Sequence, residues 1–199
     1  ILKLDNDVAL EPSCVAQLVE DAGKRRIPAL TSPVINYYRR ELGCWFQGGF
    51  IDWERFETGH CASLEEFRKL PMRQRVMTGC GMWIPARILE IIGFYDEKLF
   101  LYFDDTDFSV RAVREGFEID VVASALMHHK VSATSGGVEA RSPFKAYHGL
   151  RSSLLFWRRY SSWWRFHREY CAGHLGKWVN GLGEEWRNPD TRARAQAVI

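Results

Sequence analysis

The sequence predicts an α/β fold. Short apolar runs of strand length alternate with amphipathic stretches of helix length, and a glycine stands where each of the clearer helices should stop. The chain opens in one such run, Ile1-Leu2-Lys3-Leu4, which reads as the end of a buried strand leading into an acidic turn, Asp5-Asn6-Asp7. Pro12 stands where a helix favours its first residue, and Val15, Leu18, Val19 and Ala22 follow at i, i+3, i+4, i+7 spacing, with Gly23 placed to stop that helix. Ala29 to Ile35 reads as a strand. From Asn36 to Gln74 the periodicity is poor, so loops and one short hairpin are expected.

Val76 to Ile84 is strand-like around Gly79 and Gly81. Ala86 to Ile92 reads as a helix ended by Gly93, and Asp104 to Glu115 as a second helix ended by Gly116. Phe117, Ile119 and Val121 alternate with polar or charged residues as a strand should. The pair His128-His129 follows, then a polar loop, Ser132 to Gly137. From about Pro143 the chain reads as helical and rich in Trp and Arg.

A length of 199 residues, 46% of them hydrophobic, fits one core-forming domain with a helical tail. We expect the parts to be residues 1–142 and a C-terminal helical, aromatic and basic extension, 143–199. The formal net charge of +2 hides an asymmetry. Residues 138–199 carry 11 Lys/Arg against 5 Asp/Glu, whereas the remainder carries 16 against 20. An acidic body suits a bound cation. A basic tail suits phosphates or an anionic membrane, and equally a solvated helix face.

The five cysteines include no Cys-x-x-Cys pair, so neither a zinc knuckle nor a disulfide framework is indicated, and reduced thiols in the cytoplasm are expected. No run of about 18 apolar residues occurs, so no spanning helix is expected, and no secretory leader is read.

Three clusters can carry chemistry. Asp5-Asn6-Asp7 lies at the carboxyl end of a strand, where ligands gather in open α/β sheets. Hard carboxylate oxygens there suit Mg²⁺ or Mn²⁺, and the same residues also suit a plain turn. Asp104-Asp105-Thr106-Asp107 opens a helix. Asp104 can cap it, while the crowding of carboxylates also favours a general base by raising one proton affinity. His128-His129 is the third cluster, readable as metal ligands or as satisfied polar groups.

Taken in order, these sites resemble glycosyltransferase family 2, with the GT-A fold, and within it a bacterial rhamnosyltransferase-like subgroup. The resemblance runs from residue 1 to about residue 156. It rests on Leu4-Asp5-Asn6-Asp7-Val8 with Glu11-Pro12, Thr78-Gly79-Cys80-Gly81-Met82, and Ile92-Gly93-Phe94-Tyr95-Asp96-Glu97. It continues through Phe100 to Phe108 with Arg111 and Gly116, Ala125 to His129, and Tyr147-His148-Gly149-Leu150-Arg151.

That resemblance implies a partial GT-A fold, a mixed sheet flanked by helices. It implies an inverting transfer from a UDP- or dTDP-sugar to a hydroxyl of a glycan or lipid-linked acceptor. Asp5, Asp7 and His128 would hold Mg²⁺ or Mn²⁺. Asp105 would be the base, with Asp104 beside it. Asn6, Gly79, Gly81, Trp83, Asp107 and Arg151 would contact substrate, and Arg111 would be structural. Two departures stand out: Asp104 replaces the family's usual Glu, and Ser152 replaces an Asn. The opening inside a strand without Met reads as a fragment, with roughly 60 to 100 residues of nucleotide-binding βαβ units expected before Ile1.

The tail interleaves Phe156, Trp157, Tyr160, Trp163, Trp164, Phe166 and Tyr170 with Arg158, Arg159, Arg165 and Arg168. Packing with peripheral contact to the inner face of a membrane is the expectation. Nucleic acid is not expected, since the body is acidic and no nucleic-acid-binding signature is present. Two alternatives remain: a non-catalytic binding module on a truncated transferase fold, and a metal-dependent phosphoesterase.

Overall fold

The computed structural model describes residues 1–131 and 143–176. The strands are β1 (Leu2–Leu4), β2 (Val8–Leu10), β3 (Ala29–Tyr37), β4 (Cys44–Phe46), β5 (Gly49–Asp52), β6 (Glu57–His60), β7 (Arg75–Val76), β8 (Gly81–Trp83) and β9 (Glu118–His129). The helices are α1 (Cys14–Lys24), α2 (Leu64–Lys69), α3 (Ala86–Ile92), α4 (Asp104–Arg114), α5 (Pro143–Tyr160) and a short α6 (Trp163–Arg165) that runs into a π-helical segment, Phe166–Leu175. The polar loop expected at Ser132 to Gly137, and the tail beyond residue 176, lie outside the described residues.

The main sheet has the order β1-β8-β3-β9-β2, with β4 also on β3. β3 and β9 are parallel and every other pairing is antiparallel, so the sheet is mixed. This is an α/β fold compatible with part of a nucleotide-sugar transferase. Cys14, Leu18, Leu30, Ile35, Met82, Phe108, Ile119 and Met127 are among the buried apolar residues of its core. Two compact units are present: Ile1–Tyr95 with Asp105–Val138, and Asp96–Asp104 with Glu139–Ile199.

Local chemistry explains most boundaries. Gly93 takes φ +73° at the end of α3 and Gly116 takes φ +85° just past α4, a left-handed backbone that favours glycine. In α1 the period is as read but the phase differs. Cys14 and Leu18 are buried, whereas Val15 and Val19 are 43% and 50% exposed. Arg25, just past the helix, fixes that rotation by bonding both Asp21 (2.6 Å) and Asp120 of β9 (2.9 Å).

The stretch from Asn36 to Gln74 holds more order than its pattern promised. β5 and β6 form the expected hairpin, and β7 adds to it to make a second, three-stranded sheet, β6-β5-β7. α2 follows with a reciprocal cap: Ser63 Oγ accepts from Glu66 N (3.0 Å) and Glu66 Oε2 accepts from Ala62 N (2.7 Å).

One irregularity matters for the site. Pro33 of β3 pairs with Val122 of β9, but Val34 pairs with Leu126, so β9 gains three residues over its partner. An odd insertion inverts which side of the sheet each later residue faces. His128 therefore shares a face with Val121, and His129 takes the opposite one.

Candidate functional site

The acidic turn is held by backbone on both sides. Asp5 N donates to Cys80 O (3.1 Å), and Lys130 N donates to Asp7 O (3.0 Å). The turn thus bridges the segment before β8 and the end of β9. Asn6 is at its exposed apex. The side chain of Asp7 is only 9% exposed and lies 3.0 Å from His129 Nε2. His129 is buried, and its Nδ1 has no hydrogen-bond partner among the described residues. The ring of Trp45 meets it edge-on at 4.6 Å, which fixes the imidazole's orientation.

Ligand atoms of Asp5, Cys80 and His129 all lie within 4.8 Å of one another, a spacing that one ion can span. Two neighbouring ligands of one octahedral ion sit about 3 Å apart, as Asp7 and His129 do. Burial and the nearby charge of Asp5 push the Cys80 thiol far above its ordinary range, with Asp7 and Asp105 adding to the effect. Its soft sulfur is a poor match for hard cations such as Mg²⁺ and Mn²⁺. The hard donors of that cluster are the Asp5 carboxylate and the His129 imidazole, and the Asp7 carboxylate stands beside His129 at 3.0 Å; oxygen and imidazole donors of this kind suit Mn²⁺ or Mg²⁺.

His128, the histidine assigned to the metal by resemblance, is elsewhere. Its Nε2 lies 2.9 Å from Glu11 Oε1, and Arg40 stands 3.7 Å from the same oxygen. In the sequence His129 stands only as the second half of a candidate pair, and Cys80, Trp45 and Lys3, which the fold brings beside it and the acidic turn, carry no assigned role there.

Asp105, in the first turn of α4, is clamped by main chain. Gly79 N donates to its Oδ2 (2.9 Å) and Thr106 N to its Oδ1 (2.7 Å). Ser109, one turn on, accepts from Met77 N (3.0 Å) and donates to Asp105 O (2.8 Å), tying α4 to the segment that carries Gly79. Burial raises the Asp105 proton affinity above the ordinary carboxylate range; the Gly79 and Thr106 bonds and the Lys3 ammonium pull against it without cancelling it. A carboxylate pinned by N–H groups and made more basic by burial is suited to take a proton.

The other residues singled out divide clearly. Gly79 does allow a close approach, and the group that approaches is Lys3: a Cβ there would stand 2.7 Å from its Nζ. Gly81 is backed by the Met127 thioether, which a Cβ would meet at 2.5 Å, so its bareness serves packing. Asp107 is fully buried and bonds Arg111 Nε (2.8 Å), while Arg111 also donates to the Ile92 and Phe94 carbonyls. Buried in this way, the Asp107 carboxylate is turned to Arg111 and the α4 packing. Trp83 is half-buried in β8, with an indole nitrogen that has no partner. Asp104 precedes Asp105 at the start of α4. Arg151, on α5, donates to the Lys98 carbonyl, and the adjacent Ser152 donates to Leu101 O (2.8 Å).

Tyr102 and Phe103 take φ of +65° and +62°, a left-handed backbone uncommon for aromatic residues. Within their unit Tyr102 lies against Gly149, where a Cβ would stand 3.4 Å from its ring, and Phe103 packs on Phe156 at 5.0 Å.

No family model matches the chain. It is similar to proteins named rhamnosyltransferases: 24% identical over 94 residues to the dTDP-rhamnosyl transferase RfbF of Shigella flexneri, covering 45% of this chain and 32% of that protein. It is also 33% identical over 76 residues to an N-acetylglucosaminyl-diphospho-decaprenol L-rhamnosyltransferase of Mycobacterium tuberculosis, covering 37% of this chain and 24% of that protein. The chain thus spans between a quarter and a third of the length of these relatives. The likenesses support a glycosyltransferase-type function.

Proposed function

We propose that this chain carries the metal- and base-bearing part of an inverting family 2 glycosyltransferase of GT-A fold. It would move a sugar, rhamnose by likeness to its relatives, from a UDP- or dTDP-sugar to a hydroxyl of a glycan or lipid-linked acceptor. The observation that carries this reading is the pairing of two sites on one unit: Asp5, Asp7 and His129 around the acidic turn, and Asp105 clamped by Gly79 from the segment next to it.

Asp5, Asp7 and His129 would hold Mn²⁺ or Mg²⁺. When bound, such an ion stabilises the negative charge that develops on the departing diphosphate. Asp105 accepts the acceptor's proton at a carboxylate oxygen as the acceptor oxygen bonds the anomeric carbon. The bond from that carbon to the diphosphate breaks in the same step, and the nucleoside diphosphate leaves with the electron pair. A single displacement inverts the anomeric carbon; retention by double displacement would need a protein nucleophile as well.

Transfer by the full-length protein from dTDP- or UDP-sugars with Mn²⁺ is the test. Asp105→Asn should lower turnover by about 10² to 10⁴ while still binding Mn²⁺, whereas Asp7→Ala should lose both. The wild-type rate should rise with pH, with a midpoint above the ordinary carboxylate range, because burial keeps Asp105 protonated below it. Full activity in Asp105→Asn would remove the base assignment.

A lipid-linked acceptor suits the second unit. Trp163 and Trp164 stack on each other and are 58% and 64% exposed, and residues 143–176 carry six Lys/Arg against one Glu. Exposed tryptophans beside arginines favour an anionic membrane surface. Among the described residues no helix is long and apolar enough to cross a membrane. Co-sedimentation with anionic vesicles at low salt should be lost in Trp163→Ala/Trp164→Ala; undiminished binding would count against the contact.

A further inference from the structure

We propose that Lys3 is the built-in counter-cation of the acidic site: it balances the carboxylates when no divalent ion is bound, and it keeps the affinity for the free ion low. This rests on the reading that Asp5, Asp7 and His129 take such an ion.

Lys3 is the one charged residue of β1, two residues before Asp5, and it pairs with Met82 of β8. Its side chain is about one-third exposed. It donates to Gly79 O (2.7 Å), stands 3.7 Å from Asp5 Oδ1, and lies 5.6 Å from the centre of the Tyr95 ring. The space it fills exists because residue 79 lacks a side chain. The same glycine donates its N–H to Asp105. Lys3 therefore places a positive charge beside Asp5 and close to Asp105, and it is coupled through one residue to the proposed base.

A lysine whose only role was to cover apolar surface would put its head in water. This one turns inward onto a carbonyl and a carboxylate. A lysine at that position has two consequences. Without an ion, the close carboxylates repel one another less and the turn keeps its shape. With an ion, the dication must share Asp5 with an ammonium a few ångströms away, and like charges at that range oppose each other even at a protein surface. The free ion is thus held weakly, and an anionic diphosphate arriving with it offsets the excess positive charge. Arginine keeps the charge, while methionine keeps approximate length without it, so the two substitutions separate charge from shape.

The experiment is Mn²⁺ titration, read as loss of the free-ion electron paramagnetic resonance signal, on the intact chain and its Lys3→Met, Lys3→Arg and Asp7→Ala variants. Thermal melting is run alongside to confirm that each is folded. Lys3→Met should bind Mn²⁺ about five- to tenfold more tightly than wild type, and Lys3→Arg within about twofold of it. Unchanged or weaker binding in Lys3→Met, with binding still abolished by Asp7→Ala, would overturn the role of Lys3 and leave the metal site standing. If Mn²⁺ binds neither wild type nor Lys3→Met, the metal reading fails and Lys3 fails with it. Binding by Lys3→Met alone would support both.

Discussion

Two histidine–carboxylate pairs sit side by side at the end of β9, and their surroundings make them different things. His129 lies 3.0 Å from Asp7, and His128 lies 2.9 Å from Glu11. Beside the first pair, Asp5, Asp7 and Asp105 all bear on Cys80 as negative charges, with Lys3 opposing them. Around the second, Arg40 is 3.7 Å from Glu11, whose side chain is 35% exposed at an open cavity of about 530 Å³. One pair stands among acidic neighbours, the other beside an arginine. Identical side chains one residue apart acquire different chemistry because the strand turns them to opposite faces.

The sharpest way to break this contrast is to remove the two carboxylates separately. Asp7→Ala should abolish Mn²⁺ binding, whereas Glu11→Ala should leave it within about twofold, since one carboxylate would be a first ligand and the other none. Equal losses would erase the distinction. The histidines should follow with a smaller effect. His129→Ala should weaken Mn²⁺ by at least about tenfold, as loss of a site's supporting or ligating groups commonly does. His128→Ala should not change it, at a stability cost of about 1 kcal/mol for the lost hydrogen bond, read by denaturant unfolding. Smallest is Trp45→Ala, which removes the edge contact that orients His129; Mn²⁺ should weaken by about two- to threefold. No change there would mean that the imidazole is held by Asp7 alone.

Away from the pairs, Arg111→Met leaves the Asp107 carboxylate buried without its guanidinium. Such a break costs about 3 to 5 kcal/mol, and urea unfolding should show it. A loss under about 1 kcal/mol would show that Asp107 is satisfied by its other contacts.

How much of this was readable beforehand depended on the length of each signal. α3 and α4 span two to three turns with a glycine after each, so period and stop agreed. β5 and β6 have four residues each and β7 only two, too short for alternation to stand out from chance. α2 did carry a legible start, Ser63-x-x-Glu66, that the reading of a loop passed over.

The acidic turn and Asp105 were legible because carboxylates at a strand end and a helix start are local patterns. The choice of His129 over His128 was not. It depends on the three residues by which β9 exceeds β3 after Val122, and nothing in Ala123-Ser124-Ala125 announces that insertion. Lys3, Cys80 and Trp45 join the site through pairings of residues roughly 75 to 85 apart in the chain, which no periodicity reports.

The most direct measurement is binding of a dTDP- or UDP-sugar to the full-length protein, with and without Mn²⁺, beside its Asp7→Ala variant. The account predicts binding that needs Mn²⁺ and disappears in the variant. Binding that is indifferent to Mn²⁺ and unchanged by Asp7→Ala would contradict it.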